Sequence, residues 1–167
     1  MDIRIYGLVN DSIVDGPGLR FSVFTQGCPF ACEGCHNPES RSFYSGKIYD
    51  TSQIIAQFSK NPLLSGITLT GGEPFAQSAA CKHIAIAAHA MGLNVWAYSG
   101  YTYETLIHNE PGLLNQLDVL VDGPFILDER SLSLKYCGSR NQRIIDILKT
   151  RETGQIVTWT GPDWLSH

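Results

Sequence analysis

Gly27-Cys28-Pro29-Phe30-Ala31-Cys32-Glu33-Gly34-Cys35-His36-Asn37-Pro38 sets three cysteines in a C-x3-C-x2-C spacing. Closely spaced thiols offer soft ligands to one metal centre, and here they leave a fourth position open. A structural zinc site wants four closed ligands, and a standard iron-sulfur cluster is held by four cysteines. Three from one short loop therefore suggest a centre that also binds another molecule. His36 is a possible fourth zinc ligand, but it adjoins Cys35 and would strain to reach the same ion. A four-iron cluster with one open iron is the favoured reading, and a zinc-stabilised binding module without catalysis is the alternative. The chain has five cysteines in all, an odd number. That count suits metal ligation in a reducing compartment better than a disulfide framework.

Outward from this loop, short apolar runs alternate with helical patterns, as in βα units. Phe21 to Thr25 is the strand that runs into the cysteines. Beyond the loop, Asp50 and Gln53 form an N-cap pair ahead of Ile54, Ile55 and Phe58, in a helix that stops near Asn61-Pro62. Ile67 and Leu69 alternate with Thr68 and Thr70 in a second strand ending at paired glycines. A helix from about Gln77 to Met91 carries Cys81, Ile84, Ala88 and Met91 on one stripe, with Gly92 as its stop. Leu93 to Tyr98 is the third strand, Tyr103 to Asn109 a short helix, and Leu117 to Val121 a buried fourth strand delivering Asp122. Arg143 to Arg151 reads as a helix through Ile144, Ile147 and Leu148, and Gln155 to Thr160 as a last strand. The expected architecture is α/β: a truncated barrel or curved open sheet with its active groups at the C-terminal strand ends.

At 167 residues the chain is expected to form one domain over residues 1–167, too short for a complete (β/α)8 barrel of ~250 residues. Met1 to Tyr6 lacks the basic start and apolar run of a signal peptide, and no stretch approaches the ~20 apolar residues of a membrane span. A cytoplasmic protein is expected. The formal net charge of -4 argues against general affinity for nucleic acid.

Four further motifs accompany the cysteines. Ser12-Ile13-Val14-Asp15-Gly16-Pro17-Gly18-Leu19-Arg20-Phe21 precedes them, and Thr70-Gly71-Gly72-Glu73-Pro74 follows. Later come Val119-Leu120-Val121-Asp122-Gly123-Pro124-Phe125 and Gly138-Ser139-Arg140-Asn141-Gln142-Arg143-Ile144-Ile145-Asp146. In this order, with Cys35-His36-Asn37, they resemble the radical S-adenosylmethionine superfamily and, within it, the activases of glycyl-radical enzymes. The late motifs are similar to those of the activases of anaerobic, class III ribonucleoside-triphosphate reductase. The resemblance implies a partial (β/α) barrel and a [4Fe-4S] cluster on Cys28, Cys32 and Cys35, at which catalysis occurs. It implies S-adenosyl-L-methionine held by Gly34, Cys35, His36, Gly71, Gly72, Glu73 and Asp122, with Glu73 accepting from its ammonium group. It also implies reductive cleavage to a 5′-deoxyadenosyl radical that installs a glycyl radical on the reductase. The reductase is then the protein partner, approached through Asp15, Arg20, Arg140 and Arg143, and a low-potential donor such as flavodoxin supplies the electron.

Many superfamily members carry an aromatic residue before the third cysteine, packed on the adenine, where this chain has Gly34. Adenine recognition is then expected to rest more on backbone around Gly34 to His36 and on other side chains. Asp122 takes the place of an aspartate that lies near the cofactor carboxylate in the pyruvate formate-lyase activase. Cys81 reads as core, Cys137 as an incidental loop thiol, and His83 and His89 as surface residues. Lys135 to Arg151 holds several basic residues, either a solvated face or a docking surface. Enzymatic alternatives are a pyruvate formate-lyase-type activase and, more remotely, 7-carboxy-7-deazaguanine synthase.

Overall fold

The structure, a computed structural model, describes residues 1–161. In chain order its strands are Asp2–Ser12 (β1), Arg20–Thr25 (β2), Lys47–Asp50 (β3), Gly66–Gly71 (β4), Asn94–Tyr98 (β5), Val119–Asp122 (β6) and Arg143–Asp146 (β7). The helices are Thr51–Ser59 (α1), Ser78–Ala90 (α2), Tyr103–Asn109 (α3), Pro111–Leu114 (α4) and Ile147–Thr153 (α5). The seven strands form one mixed sheet in the order β3-β1-β2-β4-β5-β6-β7. β2, β4, β5 and β6 run parallel, and antiparallel pairings add β1 and β3 at one flank and β7 at the other.

Successive side chains on a strand point to opposite faces, and that alternation divides the interior in two. Phe21, Val23, Ile67, Leu69, Val95, Ala97 and Leu120 join Ile54 and Phe58 of α1 and Cys81, Ile84 and Ala88 of α2 in the main core. On the opposite face Trp96, Val119 and Val121 form a smaller cluster with Tyr136 and Trp159. The Trp96 ring meets those two edge-on, with centroids 5.3 and 4.9 Å away. Local signals act as the sequence suggests at α1, where the Asp50 carboxylate and the Gln53 side chain complete a reciprocal capping box.

The structure departs from the sequence reading at both flanks of the sheet. β1 and β3 were not expected, although Ile3 and Ile5 are buried in alternation with Asp2, Arg4 and Tyr6. The helix expected from Arg143 to Arg151 divides at Asp146. Arg143–Asp146 is a strand, in which Ile145 pairs with Leu120 and is fully buried. Only then does α5 begin, with the Asp146 carboxylate accepting from Lys149 N at 2.9 Å. The open edge of β6 takes the two β-branched isoleucines as a strand, so tertiary demand overrides a helical pattern. The strand expected from Gln155 to Thr160 is reduced to a single antiparallel bridge between Thr158 and Ile145.

Asp146 as a helix cap predicts that Asp146→Ala costs about 1 kcal/mol. Thermal unfolding should register this as a fall of roughly 2–4 °C for a chain of this size. No change would mean that the Asp146 carboxylate adds nothing as a cap for α5.

Candidate cluster and cofactor site

Parallel strands deliver whatever follows them to one edge of the sheet. β2 leads into Gln26-Gly27-Cys28, β4 into Gly72-Glu73, β5 into Ser99-Gly100 and β6 into Gly123. Residues from all these turns line one cavity of about 150 Å³, together with Cys28, Cys32 and Cys35. A larger open groove of about 520 Å³ between α3 and α5 contains none of the cysteines.

The cysteine loop is closed at its neck. Gly27 N donates to Ser40 O at 2.6 Å and Cys28 N to Arg41 O at 3.0 Å. Gln26 is 2 % exposed, and its amide donates to the carbonyls of Glu39 and Ser42 at 3.0 and 2.6 Å. Sequence reasoning missed Gln26, whose one signal was a polar residue directly after an apolar strand. Within the loop the three thiols are half-buried and unpaired with one another. Burial pushes the Cys28 thiol up to about 11, so metal binding there would release a proton. Among the described residues, no group of His, Cys, Asp or Glu converges as tightly as a single ion requires. Three soft thiols sharing one cavity wall instead fit a cluster of several irons.

Gly71 and Gly72 were expected to let backbone approach a ligand. Their nearest approach is to the protein itself. Gly71 has φ +94, and a Cβ on Gly72 would strike the Gly27 carbonyl at the root of the cysteine loop. Glu73 is 1 % exposed. One of its oxygens accepts from Gly100 N at 2.7 Å, and the other from Ser99 Oγ at 2.9 Å and Phe75 N at 3.1 Å. Burial pushes its carboxyl up to about 7. A carboxylate offers about four acceptor positions, so these three internal bonds leave little spare capacity.

Gly34 has φ +74, and a Cβ there would meet Leu127 Cδ1 at 2.9 Å and Phe125 Cε1 at 3.3 Å. Phe125 also packs on His36, with ring centroids 5.0 Å apart. The space beside the third cysteine is thus taken by side chains from beyond β6, which the sequence had not brought there. Asn141 Nδ2 donates to Pro124 O at 2.8 Å and Gln142 Nε2 to Gly123 O at 3.1 Å, which secures that segment.

A second cleft of about 390 Å³ shares His36, Asn37, Thr70, Tyr98 and Phe125 with the cysteine cavity and adds Asp15, Tyr136 and Cys137. Asp15 accepts from Ser12 Oγ at 2.6 Å and Ser22 Oγ at 2.9 Å. The other expected binding residues divide. Asp122, expected beside the cofactor, is 1 % exposed and absent from the lining of either cavity. Its carboxylate instead receives Arg143 Nε and Nη2 at 3.0 and 2.5 Å and Tyr103 N at 2.8 Å. Arg143, expected at the docking surface, is committed to Asp122 and Glu104. Arg20 does not reach the surface at all, being fully buried. Arg140 is exposed. Cys81 is in the core, and His83 and His89 are exposed, as the sequence suggested.

Residues 14–145 match the family described as a 4Fe-4S single cluster domain. Similar chains include anaerobic ribonucleoside-triphosphate reductase-activating proteins of several organisms. That of Haemophilus influenzae is 31% identical over 140 residues, covering 79% of this chain and 90% of its own. That of Vibrio cholerae is 34% identical over the same length with the same coverage. The Escherichia coli protein is 32% identical over 138 residues, 78% of this chain and 90% of its own.

Two substitutions probe this geometry. Arg143→Ala would leave Asp122 buried without its cation and should cost about 2–3 kcal/mol in urea unfolding, less than a fully buried pair because Arg143 is partly solvated. Loss below about 0.5 kcal/mol would mean that Asp122 does not need this partner. Gly34→Tyr should cost about 1–2 kcal/mol from the left-handed backbone alone, with further loss from displacing Leu127 and Phe125; an unchanged midpoint would show that the loop can open to admit a ring.

Proposed function

The chain belongs to the family of anaerobic ribonucleoside-triphosphate reductase-activating proteins, with a 4Fe-4S single cluster domain, and from that premise we propose how its strand ends serve the activity. It is a radical S-adenosylmethionine activase that generates the glycyl radical on the anaerobic reductase. The relatives' names favour this target over that of a pyruvate formate-lyase-type activase. The observation that carries the reading is the convergence of Cys28, Cys32, Cys35, Gly72 and Glu73 on one cavity at the C-terminal ends of the parallel strands.

Cys28, Cys32 and Cys35 hold the cluster. A cluster held there would relay one electron from an external low-potential donor to S-adenosylmethionine, whose carbon-sulfur bond would break to give methionine and a 5′-deoxyadenosyl radical able to take a hydrogen atom from a glycine. The polypeptide supplies binding, orientation and exclusion of water. Gly71 and Gly72 keep the wall opposite the cysteines free of side chains, and Glu73 gives its remaining acceptor position to the cofactor ammonium. Backbone from Gly34 to His36 receives the adenine, with Phe125 behind it. Asp122 acts one step back, by setting Arg143 and the turn at Gly123. Asp15 holds the glycine segment of the reductase in the wider cleft, and Arg140 offers it a surface cation, while the electron comes from a low-potential donor such as flavodoxin.

Four consecutive parallel strands support a partial (β/α) barrel, and residues 1–167 act as one activase domain. The clustered cysteines support a cytoplasmic setting, and no helix among the described residues is long and apolar enough to cross a membrane.

Alanine at Cys28, Cys32 or Cys35 should abolish a stable four-iron centre and S-adenosylmethionine cleavage, whereas Cys81→Ala and Cys137→Ala should leave both in place. Iron and sulfide quantification with a 5′-deoxyadenosine assay separates the two groups. Stoichiometric zinc in anaerobically prepared protein, or full cleavage by any of the first three variants, would overturn the assignment.

A further inference from the structure

Arg20 is 0 % exposed, and no ion pair to it occurs among the described residues. A guanidinium taken out of water is costly unless its donors are met. Here neutral groups meet one donor on each of its three nitrogens. Nε donates to Thr68 Oγ1 at 2.8 Å, Nη1 to Pro17 O at 3.0 Å and Nη2 to Ile67 O at 2.7 Å. The guanidinium carbon lies 5.6 Å from the Trp96 ring centroid, close enough for a cation–π contact. Burial pushes its pKa down only to about 10, so it keeps its charge at neutral pH.

An apolar side chain would fill this space without the desolvation cost, so the cation needs a reason. The bonds it makes reach the turn between β1 and β2 by two routes. One is direct, to Pro17 O; the other passes through Thr68, whose hydroxyl donates to Asp15 O at 2.7 Å. Gly16 stands between these two anchors with φ +138, and a Cβ there would meet Arg20 Cδ and Nε at 2.8 Å. The turn is wrapped on the guanidinium. Its Asp15 side chain, braced by Ser12 and Ser22, lines the cleft that adjoins the cysteine cavity.

We infer that Arg20 is a positioning residue, which fixes the backbone of residues 15–17 from beneath so that the Asp15 carboxylate stays in the cleft to hold the reductase. The inference rests on the function proposed above. It assigns Arg20 to reductase binding without contact, where the sequence had suggested a docking residue.

The test is a double-mutant cycle of Asp15→Ala and Arg20→Met, the second keeping the bulk of the stem while removing the donors. Reconstituted proteins, matched for iron content, are titrated with anaerobic reductase under reducing conditions with excess S-adenosylmethionine, and glycyl radical is counted by electron paramagnetic resonance. Each single variant should raise the half-saturating reductase concentration on the order of tenfold, and the double variant no further, because coupled residues are not additive. Thr68→Val, which severs the hydroxyl route, should shift it in the same direction and also fail to add to Asp15→Ala; it carries the test if Arg20→Met does not fold. A general loss of stability would lower radical yield at every reductase concentration and leave the half-saturation point in place, which overturns positioning. So would additive losses of about a hundredfold in the double variant, or wild-type behaviour of Arg20→Met. Absence of glycyl radical with the wild-type chain would instead overturn the activase reading, and this inference with it.

Discussion

Two hydrogen bonds continue the β2–β4 ladder beyond the strands: Gly72 N donates to Thr25 O and Glu73 N to Gly27 O, both at 2.8 Å. The parallel register that pairs Thr25 with Gly71 makes them possible. A one-residue slip of β2 against β4 would turn Phe21 and Val23 away from the helices that Ile67 and Leu69 face, so the core that fixes the register also fixes where the cysteine loop leaves the sheet. Gly72 has to lack a side chain because Gly27 is already there. The paired glycines thus serve the joint between two turns as well as the cavity in front of them.

Among the described residues three charged side chains are almost wholly withdrawn from water, Arg20, Glu73 and Asp122, and each is accommodated differently. Arg20 is met by carbonyl and hydroxyl oxygens, Glu73 by a hydroxyl and two backbone N–H groups, and Asp122 by the fork of Arg143. Each ties together segments distant in sequence. Arg20 joins the turn after β1 to β4, Glu73 joins β4 to the turn after β5, and Asp122 joins β6 to β7 and to the start of α3. A buried polar group held by several partners at once admits few alternative arrangements, and such groups here surround the ends of the parallel strands.

The sequence disclosed most where chemistry and local geometry coincide. The C-x3-C-x2-C spacing, the capping box at Asp50 and Gln53, and the alternation at Ile67 and Leu69 each carry their own physical reason, and the structure has α1 and β4 where they suggested. Less was legible where a residue's role depends on distant partners. Ile144 and Ile145 fit a helix as well as a strand until the edge of β6 is known. Gln26 has no motif around it, and only the return of residues 39–42 gives its amide something to bind. Arg20, Asp122 and Arg143 look like surface binding groups in one dimension, because spacing carries no information about burial. The importance of Phe125 beside Gly34 likewise needs the third dimension, since they are far apart in the chain.

The neck of the cysteine loop has one more consequence. Gly27 N to Ser40 O, together with the Gln26 amide, shuts the loop at its base without using any thiol. The segment from Cys28 to Glu39 is therefore hung from the sheet by bonds that involve no sulfur atom. Where the loop leaves the sheet and where it returns are thus set by backbone and amide groups alone, whatever the three thiols hold.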